Sequence, residues 1–353
     1  MIVLKRGQAT KENIDRVVKE IEQAGLRSRI VRGELDAIVC VVGDESDKEG
    51  LFEVLSSYDF VERATPVQSD VGYKLIAREN LDEYNGNLNT VKFRINGVEI
   101  GNGKPVIIAG PCAVHSKNQT LEIADAVKEA GADMLRGGAY KPRTSPYGFQ
   151  GLREEGLKIL AEARERTGLP VVTEVTDTRL VDVVGQHADM FQIGARNMQN
   201  YPLLTEVGKY AAKHDKGILM KTSHGMPTLK EVLCAAEYLA YAGARKIVLC
   251  ERGMAAKTGN TRNTPNPIFL GELREHTYFP VIGDPSHSTG HIKFVIGASD
   301  SYLAAGANGL IIEVRRDDEK PRIDGIAVCD FAQSLPLSKF KDYMLSLKER
   351  KVR

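Results

Sequence analysis

Apolar residues recur along this chain in two rhythms, separated by a polar stretch at residues 74–90. Before that stretch, Ile2, Val3 and Leu4 form a short apolar run. After the capping residue Thr10, positions Ile14, Val17, Val18 and Ile21 repeat at helical spacing until Gly25. Ser28 to Val31 and Ala37 to Val42 read as strands around an Arg32-Gly33-Glu34 turn. Asp47 to Ser57 reads as a helix with Leu51, Phe52 and Leu55 inward, and Val61 to Thr65 as a last strand. This βαββαβ order over residues 1–73 predicts a small ferredoxin-like unit. Cys40 is expected to pack in its core. By analogy of fold alone, such a unit serves as a sensor or assembly surface.

Beyond the polar stretch, Val91 to Ile95 and Val98 to Ile100 flank Asn96-Gly97, a two-residue hairpin signal. The hairpin precedes a large domain and is placed to close its underside. From Pro105 onward, eight short apolar runs alternate with helical patterns: Val106 to Ala109, Asp133 to Leu135, Val171 to Glu174, Met190 to Ile193, Gly217 to Met220, Lys246 to Cys250, Pro280 to Ile282 and Gly309 to Glu313. The alternation predicts an α/β protein with a parallel sheet. The count favours a (β/α)8 TIM barrel over residues 91–353, with an open doubly wound sheet as the alternative.

Composition narrows the function. A net charge of +1 argues against nucleic-acid binding by bulk electrostatics. The five cysteines are not closely paired and suggest no disulfide framework. No run is apolar enough to span a bilayer, the first residues lack a signal-peptide pattern, and a cytoplasmic setting is expected.

Polar groups follow every predicted strand, as expected of a barrel with its site at the strands' carboxyl ends. Arg136, Lys141, Arg196, Lys221 and Arg252 come from separate strand ends. Together, unpaired, they would repel one another, and a substrate carrying both a phosphate and a carboxylate would resolve that repulsion. Glu174 and Glu251 offer the alternative of a structural ion-pair network. Cys112, His287, Glu313 and Asp324 supply sulfur, nitrogen and oxygen donors suited to a divalent transition metal, with manganese, zinc, iron and cobalt all compatible.

Six motifs then carry a resemblance: G-P-C at 110–112, L-R-G-G-A-Y-K-P-R-T-S-P-Y-G-F-Q-G at 135–151, I-G-A-R-N-M-Q-N at 193–200, C-E-R-G at 250–253, T-R-N-T at 261–264 and D-P-S-H-S at 284–288. The chain resembles the type I-beta 3-deoxy-D-arabino-heptulosonate 7-phosphate synthases, some of which carry a ferredoxin-like regulatory domain. The resemblance implies condensation of phosphoenolpyruvate with erythrose 4-phosphate, with release of phosphate, at the head of the shikimate pathway. It implies that Arg136, Lys141, Arg196, Lys221 and Arg252 hold phosphoenolpyruvate and that Arg143, Thr144 and Ser145 take the aldose phosphate. It also implies that Cys112, His287, Glu313 and Asp324 bind the metal and that the assembly is a homotetramer; Lys141, a lysine among other cations, is a candidate proton donor. An amino-acid effector at the N-terminal domain is a further implied partner.

Two departures matter. The family's K-R-G after the fifth barrel strand is here Lys221-Thr222-Ser223-His224-Gly225, which leaves room for an altered acceptor site, and Thr264-Pro265-Asn266 also departs. In the N-terminal unit, Arg29 and Val31 stand where tyrosine-sensitive members carry polar side chains, so weak or no tyrosine inhibition is expected. The sister 3-deoxy-D-manno-octulosonate 8-phosphate synthases, using arabinose 5-phosphate, are the nearest alternative, and a catalytically silent sensor is another.

Overall fold

The computed structural model describes residues 2–5, 7–32, 37–42, 48–64, 72–78, 90–143, 145–223, 225, 227–255, 261–323 and 326–352. The chain divides into two compact units, Met1–Asp70 and Val71–Arg353.

In the first unit, β1 (Ile2–Leu4), α1 (Lys11–Gln23), β2 (Arg27–Arg32), β3 (Ala37–Val42), α2 (Lys48–Ser56) and β4 (Val61–Ala64) follow the expected order. They form an antiparallel sheet with strand order β2-β3-β1-β4. Thr10 caps α1 by accepting from the Asn13 amide at 3.2 Å. The same helix buries Ile14, Val17 and Ile21 against Ile2, Leu4, Val39, Phe52 and Leu55. Cys40 departs from expectation. Strand alternation buries Ala37 and Val39, so Cys40 lies on the opposite face and is only half-buried.

The second unit opens with residues 72–78 fixed to the barrel rather than free. The Lys74 and Leu75 amides both donate to Glu237 Oε1 at 2.8 Å, and Ala77 bridges Thr277. The hairpin comes next, β5 (Phe93–Ile95) and β6 (Val98–Ile100). Its turn residues Asn96 (φ 44°) and Gly97 (φ 90°) are both left-handed, the geometry that lets a two-residue turn follow strand twist.

Eight parallel strands then close on themselves: β7 (Val106–Gly110), β8 (Met134–Arg136), β9 (Val171–Val175), β10 (Met190–Ile193), β11 (Gly217–Lys221), β12 (Ile247–Glu251), β13 (Val281–Gly283) and β14 (Gly309–Arg315). Each pairs in parallel with the next, β14 pairs with β7, and the Gly283–Leu310 pairing completes the ring. Helices α3 (Lys117–Glu129), α4 (Glu154–Thr167), α5 (Val181–His187), α6 (Tyr201–His214), α7 (Leu229–Tyr241), α8 (Pro267–His276), α9 (Pro285–Thr289) and α10 (Ile292–Ala304) connect them. After β14 come the short strands β15 (Arg322–Ile323), β16 (Ile326–Ala327) and β17 (Leu335–Pro336), then α11 (Leu337–Glu349).

Two apolar layers result from strand alternation. Ile107, Ala109, Leu135, Ile218, Leu249 and Leu310 face the helices. Ile108, Met134, Val172, Met190, Leu219, Val248 and Cys250 fill the barrel, joined by Ile95 and Ile100 of the hairpin. A Cβ on Gly217, the first residue of β11, would lie 2.3 Å from Ile95 Cδ1. The hairpin therefore plugs the amino-terminal mouth, leaving the carboxyl-terminal mouth for chemistry.

Candidate active site

Strand geometry delivers the functional groups to one rim. Arg136 ends β8, Lys221 ends β11, Arg252 follows β12, Glu313 lies within β14, and Asp284 directly follows β13. Asp284 caps α9, accepting from the His287 amide at 3.0 Å with Pro285 in the first turn, and this aims the His287 ring at the rim. Gly138 permits a close approach behind the rim: a Cβ there would sit 2.5 Å from Lys141 Cδ and 2.7 Å from the Cys112 carbonyl oxygen.

Sulfur and oxygen donors gather first. Single donor atoms of Cys112, Glu313 and Asp330 lie within 4.8 Å of one another. His287 Nε2 is 3.5 Å from Glu313 Oε1. Asp330 completes this cluster, and Asp324, which the sequence suggested as a ligand, lies outside the described residues. Burial, the dominant influence, pushes the Cys112 thiol up to about 11, so it is protonated unless a cation takes it as thiolate. Burial also pushes His287 down, towards the neutral imidazole that ligates metals. Its Nδ1 faces Asp284 Oδ2 at 2.8 Å, which as assigned from this contact leaves Nε2 as the free donor. Burial alone would raise Glu313, but His287, Arg136 and Lys141 outweigh it and hold the carboxyl below its ordinary range. A set of S, N, O and O donors fits a divalent transition ion.

Beside this set lies a cavity of about 300 Å3, lined by Lys141, Arg143, Ser145, Arg196, Lys221 and Arg252 among others. Arg252 is 2% exposed, and its Nη1 is buried without a hydrogen-bond partner. A buried guanidinium that lines a cavity and keeps an unsatisfied nitrogen is suited to anionic oxygens. Lys221 Nζ pairs with Asp284 Oδ2 at 2.6 Å. Lys141 Nζ donates to the Cys112 carbonyl at 2.9 Å and lies 3.5 Å from its Sγ, linking cavity and donor set. Arg136 is not among the residues lining the cavity and pairs its Nη1 with Glu313 at 2.5 Å.

The alternative ion-pair network through Glu174 and Glu251 does not form among the described residues. Glu251 takes the Gly253 amide and the Tyr302 hydroxyl, and Glu174 takes Gln192 at 3.3 Å. The cations pair instead with Asp284, Glu313 and Asp330. Arg143 donates to Asp330 Oδ1 at 2.9 Å and Arg262 to Oδ2 at 3.0 Å. Thr144 and His224 lie outside the described residues. Sequence reasoning missed roles for Asp284, Arg262, Gln333 and Asp330. The first two stand inside recognised motifs, whereas Gln333 and Asp330 fall in an unremarkable loop after β14.

Residues 79–352 match the model of the DAHP synthetase I family, and residues 1–69 that of the DAHP synthase ferredoxin-like domain. The chain belongs to the DAHP synthetase I family. Among relatives of this family member, a phospho-2-dehydro-3-deoxyheptonate aldolase of Thermotoga maritima is 40% identical over 349 residues, covering 99% of this chain and 97% of its own. The crystal structure of a phospho-2-dehydro-3-deoxyheptonate aldolase (DAHP synthase) from Thermotoga maritima superposes with a TM-score of 0.72 at 38% identity, over 99% of this chain and 96% of the other. A 2-dehydro-3-deoxyphosphooctonate aldolase of Syntrophotalea carbinolica is 30% identical over 267 residues, covering 70% of this chain and 91% of its own. The heptonate relative thus covers nearly the whole of this family member, and the octonate relative 70% of it.

Proposed function

We propose that this enzyme condenses phosphoenolpyruvate with erythrose 4-phosphate and water to give 3-deoxy-D-arabino-heptulosonate 7-phosphate and inorganic phosphate. The observation that carries this reading is that buried Arg252, whose Nη1 has no partner, lines a cavity together with Lys141 and Lys221, beside a sulfur, nitrogen and oxygen donor set. Those cations match a donor bearing a phosphate and a carboxylate. The full-length likeness to the heptonate aldolase, and the weaker, shorter one to the octonate aldolases, favours erythrose 4-phosphate over arabinose 5-phosphate as acceptor.

Cys112, His287, Glu313 and Asp330 would hold the divalent ion, whether manganese, zinc, iron or cobalt, and such an ion supplies Lewis-acid polarisation of the aldehyde. The chain's own groups do the rest. Lys141, Arg196, Lys221 and Arg252 hold the enol phosphate with its methylene carbon towards the acceptor, and Arg143, Arg262 and Ser145 line the acceptor side. As the carbon–carbon bond forms, carbon 2 of the donor becomes electron-poor and takes up water. The phosphate then leaves with carbon–oxygen cleavage, its charge met by fixed cations that need no reorganisation. Lys141 is placed to give a proton to the aldehyde oxygen as it becomes a hydroxyl, and the proton shed by the water added at carbon 2 replaces it.

We further propose that the product feeds the shikimate pathway in the cytoplasm, that the ferredoxin-like unit takes an amino-acid effector other than tyrosine, and that the enzyme assembles as a homotetramer. Metal-stripped protein resupplied with one divalent ion at a time, assayed for phosphate release with each aldose phosphate, tests the central reading. Turnover confined to arabinose 5-phosphate, or none with any ion, overturns it.

A further inference from the structure

Glu251 is a carboxylate where the fold predicts an aliphatic side chain. Along β12, Val248 and Cys250 fill the barrel while Ile247 and Leu249 face the helices, so Glu251 continues the helix-facing, apolar row. It is 1% exposed. A charge there costs free energy unless hydrogen bonds offset it, and a buried polar group of this kind is poor evidence for stability. Its bonds are specific. Oε1 accepts from the Gly253 amide at 2.7 Å, and Oε2 accepts from the hydroxyl of Tyr302, a fully buried residue of α10.

Between those anchors stands Arg252. Its amide donates to Thr222 Oγ1 at 3.4 Å. Gly253, at φ 87°, is pressed so closely on α9 that a Cβ would lie 2.8 Å from Ser288 Cα. Both neighbours of Arg252 are therefore fixed, one by its side chain and the other by its amide, and one carboxylate joins the two. The Arg252 guanidinium is thereby held in the cavity wall with Nη1 unpaired, before any anion arrives. A cation pre-set in this way loses little freedom on binding its ligand.

We propose that Glu251 and Tyr302 are positioning residues for Arg252, a buried clasp that sets the donor's anion site from the helix-facing side of the barrel. The proposal rests on the reading that Arg252 binds phosphoenolpyruvate. Tyr302→Phe keeps the ring and removes only the hydroxyl. Glu251→Met removes both acceptors at similar volume. Glu251→Gln keeps a carbonyl for the Gly253 amide and an amide for the Tyr302 oxygen.

The test measures KM for both substrates, kcat, phosphoenolpyruvate affinity by calorimetry and thermal stability in all three variants. Tyr302→Phe and Glu251→Met are expected to raise KM and Kd for phosphoenolpyruvate about tenfold, with kcat and KM for the aldose phosphate within about threefold of wild type. Glu251→Gln is expected to restore affinity to within about threefold. Unchanged phosphoenolpyruvate affinity in both Tyr302→Phe and Glu251→Met overturns the proposal. A parallel loss of stability, kcat and both KM values also overturns it, showing a general packing role. Calorimetry separates this from the functional reading: a wild type that binds phosphoenolpyruvate without turnover contradicts the reaction and still reads the shift. A wild type that does not bind it overturns both.

Discussion

Lys221 Nζ lies 2.6 Å from Asp284 Oδ2, and both side chains are almost wholly buried. The same carboxylate holds His287 Nδ1 at 2.8 Å. Asp284 thus serves a cation of the anion cavity and a ring of the donor set at once. Burial raises its carboxyl, but His287 and Lys221 outweigh burial and hold it well below the ordinary carboxylate range. Asp284→Asn preserves the shape and removes the charge. The Lys221 ammonium is then buried without its counter-ion, a loss worth roughly 3–5 kcal/mol. His287 also loses the partner that fixes its tautomer, which weakens metal binding about 10–100-fold. Metal titration against a chromophoric chelator and phosphoenolpyruvate calorimetry are both expected to show weakening. A variant that loses only one of the two affinities contradicts the shared role.

Asp330 and Asp324 make different predictions for the fourth metal ligand. The Asp330 amide donates to Cys112 Sγ at 3.3 Å, its carboxylate joins the donor cluster, and both oxygens are gripped by arginines. Asp330→Ala is expected to lower metal retention about 100-fold or more, while Asp324→Ala retains the ion. Metal content after dialysis decides between them. Loss on the Asp324 exchange alone restores the sequence expectation and reduces Asp330 to an ion-pair partner.

The same residues explain how far the site was legible. Barrel strands announced themselves because each buried run is short, apolar and followed by polar residues, and the structure moves their ends by only a residue or two. Cations read from strand ends reach one cavity because a barrel converges all its carboxyl ends; Lys141, Arg196, Lys221 and Arg252 all line it. Arg136 is the exception, since the buried Glu313 claims it before the cavity can. Asp330 was not legible, because the chain after β14 returns to the rim through a loop whose path no periodicity records. Cys40 failed for a simpler reason: its strand alternates, and the register begins at Ala37.

Glu251 gives a pH signature opposite to ordinary acid lability. Burial, with Asp284 adding to it, pushes the carboxyl up to about 7, against hydrogen bonds from Tyr302, Gly253 and Asn266. A raised folded pKa means that its contribution is fully present below the unfolded value near about 4.3 and is lost as pH rises through about 7. Glu251→Gln removes that titration. Between about pH 5 and about pH 8, the stability of the variant relative to wild type should rise by on the order of 1–3 kcal/mol. Denaturant melts at several pH values measure this. A difference that stays flat shows that Glu251 keeps an ordinary pKa in the folded protein.

Lys141 stands beside both the donor set and the cavity, which His287 and Asp330 of that set also line. Its Nζ donates to the Cys112 carbonyl at 2.9 Å, stands 3.5 Å from Cys112 Sγ and lines the cavity. Lys141→Met keeps most of the stem and removes the ammonium. Proton transfer by a placed side chain contributes roughly 100- to 10,000-fold, so kcat should fall by about that factor. The metal donors are untouched, and removing a neighbouring cation should change metal affinity by no more than about tenfold, because the ammonium is not a ligand. Gly138→Ala disturbs both partners at once, since a Cβ there would lie 2.5 Å from Lys141 Cδ and 2.7 Å from the Cys112 carbonyl oxygen, and it is expected to lower kcat and metal retention together. Full turnover in Lys141→Met would refute the proton-donor role. Loss of the ion along with activity in Lys141→Met would place Lys141 in the support of Cys112 instead.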